Sequence, residues 1–336
     1  MSEAIQHYAN EFRSRRDVSP YDAEVLFDEM VSSSDEDLLT DFLTAWAAKG
    51  STEDELFRFA TILRSRMKSV DTRGVACVDI VGTGGSSLKS FNVSTAAAFV
   101  VAGAGIAVAK HGNRAATSSS GSADVLTHLG INVDVEPAVA EENLHRNDIC
   151  FMFAPRHHSL SSTLAAARKR VGAPTIFNCI GPLCNPASTQ HQLIGVWDGR
   201  LLSSMSRVLF RLGTTHSWIV NHGGVLDEIG ITSATDIAVI DGEEITRRSI
   251  DAAEFEIDAN DQVPSVTNAS ESAELIQNIL LGELPGSAAE HIVLLNAAAA
   301  ISLVTREELP DSLASACESI RSRAAFNKLE GLRGKG

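Results

Sequence analysis

Apolar residues recur at helical spacing through the first seventy positions, then give way to short apolar runs broken by glycine-rich turns. Early in the chain Ala23, Phe27 and Met30 share one face behind Ser19-Pro20, which reads as an N-cap with proline at the first helical position. Ser34 opens a second helix with Leu39, Phe42, Leu43 and Trp46 on one side, closed by Gly50. Ser51 to Asp54 has the form of a capping box, and Leu56, Phe59, Ala60, Leu63 and Met67 follow at helical spacing. Residues 1–70 are therefore expected to form a small helical domain, joined by helices around 160–190, with an apolar face left over for a partner subunit. Nothing in this segment carries chemistry.

Beyond a linker at Asp71-Thr72-Arg73-Gly74 the period changes. Cys77 to Val81, Ile106 to Ala109, Ile149 to Phe153, Leu193 to Val196, Trp218 to Asn221 and Ile237 to Ile240 read as strands. A small-residue helix from about Ser94, then Ser122 to Leu129 and Leu160 to Arg170, fall between them. Strands alternating with helices indicate an α/β class with a mainly parallel central sheet over residues 75–336. Helices close the chain from about Glu271, including the alanine-rich run Asn296 to Leu303.

Composition narrows the class. With 44% hydrophobic and 21% charged residues the chain is globular rather than disordered. No stretch reaches the roughly 20 apolar residues of a membrane span, and the N-terminus lacks the pattern of a signal peptide. A cytoplasmic protein without a membrane partner is expected. The net charge of −15 argues against a nucleic-acid surface, which needs a basic face. It leaves room for one small phosphate ligand, because backbone N–H groups and a lysine can bind phosphate locally. The five cysteines are scattered, without metal-knuckle spacing, and read as buried free thiols.

Four segments carry candidate chemistry. Gly82-Thr83-Gly84-Gly85 leaves a strand and leads through Asn92-Val93-Ser94-Thr95 into a helix. Glycines let the backbone approach a ligand, and helix-start N–H groups with Ser/Thr hydroxyls hold phosphate oxygens. Alone, a tight turn with no ligand explains this segment equally well. Lys110-His111-Gly112-Asn113-Arg114 and the serine-rich stretch Thr117 to Ser122 follow another strand. Together they offer one cation, hydroxyls and glycines suited to a second phosphate cradle. Asp227-Glu228 stands at a strand's end; the two carboxylates project differently, and each suits a separate hard cation such as magnesium. Alone, the pair is surface decoration. Arg168-Lys169-Arg170 lies on a helix, where a guanidinium facing a pocket would pair with a carboxylate; Lys169 and Arg170 point elsewhere, into solvent.

Taken together these residues resemble those of the anthranilate phosphoribosyltransferase family of tryptophan biosynthesis. The resemblance covers nearly the whole chain. It is most specific at residues 79–85, Phe91 to Thr95, Lys110 to Arg114, Ser120 to Asp124, Phe153-Ala154-Pro155, Arg168, Ile176-Phe177-Asn178, Gly181 to Pro186 and Leu226-Asp227-Glu228. It implies transfer of ribose phosphate from 5-phosphoribosyl 1-diphosphate to anthranilate, a homodimer, and two magnesium ions per monomer. The donor would be held by Gly82, Gly85, Ser86, Ser90, Asn92, Val93, Ser94, Thr95, Lys110, His111, Gly112, Asn113, Arg114, Ala115, Ala116, Thr117, Ser118 and Ser122. Anthranilate would meet Gly82, Asn113 and Arg168. One magnesium would meet Ser94 and Glu228, the other Asp227 and Glu228, and Lys110, Asp227 and Glu228 would carry catalysis. His111 is a pocket residue rather than a base, since an aromatic amine is already neutral at pH 7.

Three positions depart from the usual pattern. Ser86 stands where the family commonly has Asp, Ser119 where a lysine often lies, and His157-His158-Ser159 where Tyr-His-Pro is usual. Two alternatives compete: a pyrimidine nucleoside phosphorylase, which works without magnesium, and a non-catalytic nucleic-acid-binding relative of the same fold. The acidic pair and the Lys-His-Gly-Asn form of the second cradle favour the transferase over the first, and the net charge opposes the second.

Overall fold

A computed structural model of the chain describes residues 3–88, 90–115, 120–257 and 262–334. The chain opens with α1 (Glu3–Arg13), α2 (Ala23–Ser32), α3 (Glu36–Lys49) and α4 (Glu53–Arg66). Alternation follows: β1 (Cys77–Gly82), α5 (Val93–Gly103), β2 (Ala107–Gly112), α6 (Ser122–His128), α7 (Pro137–Asn147), β3 (Ile149–Phe153), α8 (Ala154–His157), α9 (Ser162–Val171), α10 (Ile176–Leu183), β4 (His191–Gly195), α11 (Leu201–Arg211) and β5 (His216–His222). A hairpin of β6 (Thr235–Asp241) and β7 (Glu244–Ile250) precedes α12 (Ala269–Leu280), α13 (Ala288–Thr305), α14 (Leu309–Arg321) and α15 (Ala324–Arg333).

Local chemistry shifts three of the expected helix starts. Ser19 does not cap α2: its Oγ accepts the Tyr21 N–H at 3.3 Å and its own N–H donates to the Tyr8 hydroxyl at 3.1 Å, a turn that ends before Ala23. Asp35, not Ser34, caps α3 by accepting from the Leu38 N–H at 2.9 Å. The capping box of α4 is Thr52 with Glu55, one residue later than the sequence pattern gave. Glu55 wins the role because Lys49 Nζ at 2.8 Å and the Val18 N–H at 2.9 Å also donate to its buried carboxylate.

The sheet has seven strands in the order β3-β2-β1-β4-β5-β6-β7, parallel from β3 to β5 and antiparallel through the final hairpin. Because side chains alternate across a strand, each strand feeds two cores. Val78, Ile80, Leu193, Trp218 and Val220 join a core with α5, α13 and α14. Val81, Ile194, Val196 and Ile219 join a second core with α1–α4, α9, α10 and α11. The class expected from the sequence is the one observed.

α13 comes nearest to a membrane span, being 18 residues of high hydropathy, yet 72% of it is buried inside the fold. All five cysteines are free, and four are buried as expected; Cys317 is exposed, because its position on α14 faces outward. Strand order reverses between β1 and β4, each a neighbour of the other. In open parallel sheets the crevice beyond the carboxyl ends at such a switch point is where ligands bind.

Candidate active site

Gly82 and Gly195 end β1 and β4, pair with each other, and sit at that switch point. Both must lack a side chain. A Cβ on Gly82 would lie 2.5 Å from Asp227 Oδ2, and one on Gly195 would overlap the Asp227 carbonyl. The acidic segment therefore passes directly over the paired strand ends. Beyond Gly82 the chain turns through Gly84 and Gly85 in the left-handed region, at φ of 65° and 87°. Thr83 knits this turn to β4: its N–H donates to Gly195 O at 2.9 Å and its Oγ1 accepts from the Trp197 N–H at 3.2 Å.

Above this floor lies a cavity of about 780 Å³. The glycine turn contributes Gly82, Gly85, Ser86 and Ser90, and the start of α5 contributes Asn92 and Ser94. The end of β2 contributes Lys110, His111 and Gly112, and the segment after it Asn113, Arg114 and Ala115, with Ser122 at the start of α6. Arg168 enters from α9, and Asp227 and Glu228 from the segment after β5. Residues far apart in the sequence thus converge on one chamber. Val93 and Thr95 do not line it, their side chains being buried in the core at the first turn of α5. Ala116, Thr117 and Ser118 lie outside the described residues, as does Ser119.

One end of the chamber is strongly charged. Lys110 is buried, with its Nζ donating to the Ile80 carbonyl and, at 3.3 Å, contacting Ser94 Oγ. Desolvation lowers its pKa to about 8, against the opposing pull of Asp79 and Glu228. Beneath it Asp79, wholly buried, has its pKa raised by desolvation to about 6, held back chiefly by Lys110; its Oδ1 accepts the His111 N–H at 3.1 Å. Burial also raises the Glu228 carboxyl well above its ordinary range, with Asp227 adding to the effect, and Glu228 Oε2 is sealed from solvent without a partner among the described residues. Asn296 is the polar anchor of this segment. From α13 it accepts the Ile229 N–H at 3.0 Å and donates to the Ile229 carbonyl at 2.9 Å, fixing the residue next to Glu228.

Ser94, Asp227 and Glu228 form an all-oxygen set, the kind a hard cation takes. Among the described residues no group of three or more His, Cys, Asp or Glu side chains gathers. A cation here would complete its shell with water and the oxygens of a bound phosphate.

The other end is aromatic and cationic. Arg168 stacks over Phe177 with 5.0 Å from guanidinium carbon to ring centre, and its Nε is buried without a hydrogen-bond partner among the described residues. Desolvation alone lowers its pKa to about 10. Of its neighbours, Arg170 forms an ion pair with Asp37, as its solvated reading implied. Lys169, expected to point elsewhere, is exposed at the chamber's mouth. His111 and His158 meet Nε2 to Nε2 at 3.2 Å. Burial pushes His158 down to about 4 and His111 well below its ordinary value, so both rings are neutral at pH 7.

Several supporting residues escaped the sequence reading. Ser272 on α12 donates to Asn92 Oδ1 at 3.0 Å and accepts the Asn92 N–H at 3.0 Å, holding the entry to α5 from 180 positions away. No sequence signal marks it. Gly195 carried one: an isolated glycine inside a strand marks close backbone approach.

Comparison with known proteins agrees with this geometry. Residues 74–326 match the model of a glycosyl transferase family, a/b domain. The anthranilate phosphoribosyltransferase of Methanocorpusculum labreanum is 39% identical over 323 residues, covering 95% of this chain and 94% of that protein. That of Methanosphaerula palustris is 43% identical over 295 residues, covering 87% and 86%. The crystal structure of the Thermus thermophilus enzyme superposes with a TM-score of 0.85 at 27% identity, covering 97% of this chain and 98% of that one. The Saccharomyces cerevisiae enzyme in complex with PRPP and Mg shares the fold at a TM-score of 0.86 and 23% identity, over 98% and 97% of the two chains. With a two-ended chamber at the switch point and likeness along almost its entire length, the chain belongs to the anthranilate phosphoribosyltransferase family.

Proposed function

We propose that the chain transfers the phosphoribosyl group of 5-phosphoribosyl 1-diphosphate to the amine of anthranilate, releasing diphosphate and N-(5-phosphoribosyl)anthranilate. This is the second step from chorismate to tryptophan. The observation that carries the reading is Arg168, a guanidinium bordering the chamber over an aromatic ring with no acidic partner among the described residues. Such a group calls for an anion, and a flat carboxylate on an aromatic ring matches both features.

In this reading the donor lies across the charged end. Gly82, Gly85, Ser86, Ser90, Asn92 and Ser94 would bind it from one side, and residues 110–118 with Ser122 from the other. Val93 and Thr95 would contribute main-chain N–H groups at the start of α5. The carboxylates of Asp227 and Glu228 with the Ser94 hydroxyl would hold two magnesium ions, a donor set to which the unpartnered Glu228 Oε2 is suited. When bound, that metal supplies positive charge to the diphosphate. The bond from the anomeric carbon to the diphosphate oxygen breaks as the bond to the anthranilate nitrogen forms. Lys110, protonated at pH 7, would neutralise charge on the departing diphosphate from its buried position. Arg168, Asn113 and Gly82 would hold the acceptor so that its amine meets the anomeric carbon, and such alignment supplies much of the acceleration.

Residues 1–70 with the helices around 160–190 would act as one domain and 75–336 as the other. A homodimer through the helical domain fits the exposed Tyr21 and Val25 at the start of α2. Small metabolic substrates fit a cytoplasmic setting. The test follows anthranilate fluorescence after adding 5-phosphoribosyl 1-diphosphate and magnesium. Loss of the signal is expected, and an unchanged signal from folded protein would refute the function.

A further inference from the structure

We infer that Ser86 is a positioning residue for Asp227, binding the glycine turn and the acidic pair into one unit. The inference rests on the donor and magnesium site proposed above. Asp227 is held to the turn through both carboxylate oxygens. Gly84 N–H donates to Oδ2 at 2.8 Å, and the Ser86 hydroxyl donates to Oδ1. The same hydroxyl accepts the Asp227 N–H at 2.9 Å. One atom therefore fixes both the backbone and the side chain of Asp227. One of its lone pairs takes the N–H while its hydrogen goes to the carboxylate. Two residues after Ser86 and two before Asp227, Leu88 N–H donates to the Val225 carbonyl at 3.1 Å, so the strap continues beyond Ser86.

Only a hydroxyl does this here. The carboxylate that the family commonly carries at this position could accept the Asp227 N–H but could not donate to Oδ1, and would face Asp227 as a like charge. This chain thus replaces repulsion beside the acidic pair with a donor that sets its direction. Glu228, whose Oε2 has no partner, keeps an oxygen free for a cation while Asp227 stays oriented beside it.

The test is calorimetric titration of magnesium diphosphate into the full chain, with the magnesium dependence of ribosyl transfer measured in parallel. Ser86→Ala should weaken magnesium diphosphate binding about tenfold, as loss of a ligand-orienting hydrogen bond does at metal sites. The magnesium needed for half-maximal rate should rise by a similar factor, with the anthranilate KM unchanged. Ser86→Thr, which keeps the hydroxyl, should restore both values, a rescue that a purely structural role would not give. Should the alanine variant fail to fold, Ser86→Gly removes the hydroxyl and is read the same way. Binding as tight as wild type, or tighter, in the folded variant would overturn the inference. The calorimetric arm stands apart from turnover, so wild-type protein that binds magnesium diphosphate but transfers no ribose would refute the function and leave this inference to its own result.

Discussion

Arg168 carries a conflict between stability and binding that can be measured in both directions. A guanidinium whose pKa is lowered by burial to about 10 keeps its charge in the folded protein at a cost of about 3 kcal/mol. Water in the open chamber offsets part of that cost, and the stacking on Phe177 offsets about 1 kcal/mol more. Replacing the side chain with an apolar one of similar length, Arg168→Met, should therefore stabilise the unliganded protein by about 1–2 kcal/mol, a rise of a few degrees in Tm. The same change should abolish the stabilisation that anthranilate gives, because a bound carboxylate turns the strained charge into a paired one. Differential scanning calorimetry with and without anthranilate reads both effects, and steady-state kinetics should show a raised anthranilate KM. A variant no more stable than wild type, yet still stabilised by anthranilate, would refute the reasoning. The charge would then be unstrained and the carboxylate held elsewhere.

Three further outcomes follow from packing and charge. Burial, with His157 adding to it, holds the His158 pKa at about 4 against 6.5 in the unfolded chain, so between those values the unfolded chain binds the extra proton. Stability present at pH 7 is therefore lost as pH falls from 6.5 toward 4, by about 3 kcal/mol for this group; in His158→Gln the denaturant midpoint should fall less steeply over that window, and parallel curves would count against it. Glu55 takes hydrogen bonds from Lys49 at 2.8 Å, Val18 at 2.9 Å and Thr52 at 2.9 Å, and removing its charge leaves the buried Lys49 ammonium with Asp17, at 2.6 Å, as its remaining carboxylate. Glu55→Gln should cost about 3 kcal/mol in urea unfolding, and an unshifted transition would show the pair to be ornamental. Gly195→Ala drives a methyl group into the Asp227 carbonyl, so turnover should fall about 100-fold in protein that still folds; near-normal turnover would mean the acidic segment is free to move.

The legible and illegible parts of this molecule divide along physical lines. β1 to β5 were readable because parallel strands buried on both faces are continuous apolar runs. β7 was not, since all but the last of its residues are exposed and Glu244 to Ser249 show no alternation. α10 was read only as a motif, because Gly181 and Pro182 inside it are signals that normally end helices; Pro182 is tolerated in the last turn, where its carbonyl takes the Gln192 side chain at 3.0 Å. The site follows the same division. Lys110, Asp227 and Glu228 stand at strand ends, where the order of motifs already brought them together. Arg168 is set apart from its two cationic neighbours in the sequence by the resemblance, and packing supplies the physical reason. Arg170 finds Asp37 on α3, Lys169 reaches the mouth, and Arg168 alone of the three stacks over Phe177. Ser86 reverses the lesson. As a letter it is a missing carboxylate, a loss at a metal site. In three dimensions its hydroxyl gives one bond to Asp227 and takes another, so the acidic pair has one like charge fewer beside it and one constraint more. What a substitution removes is visible in a sequence; what it supplies depends on the atom it faces.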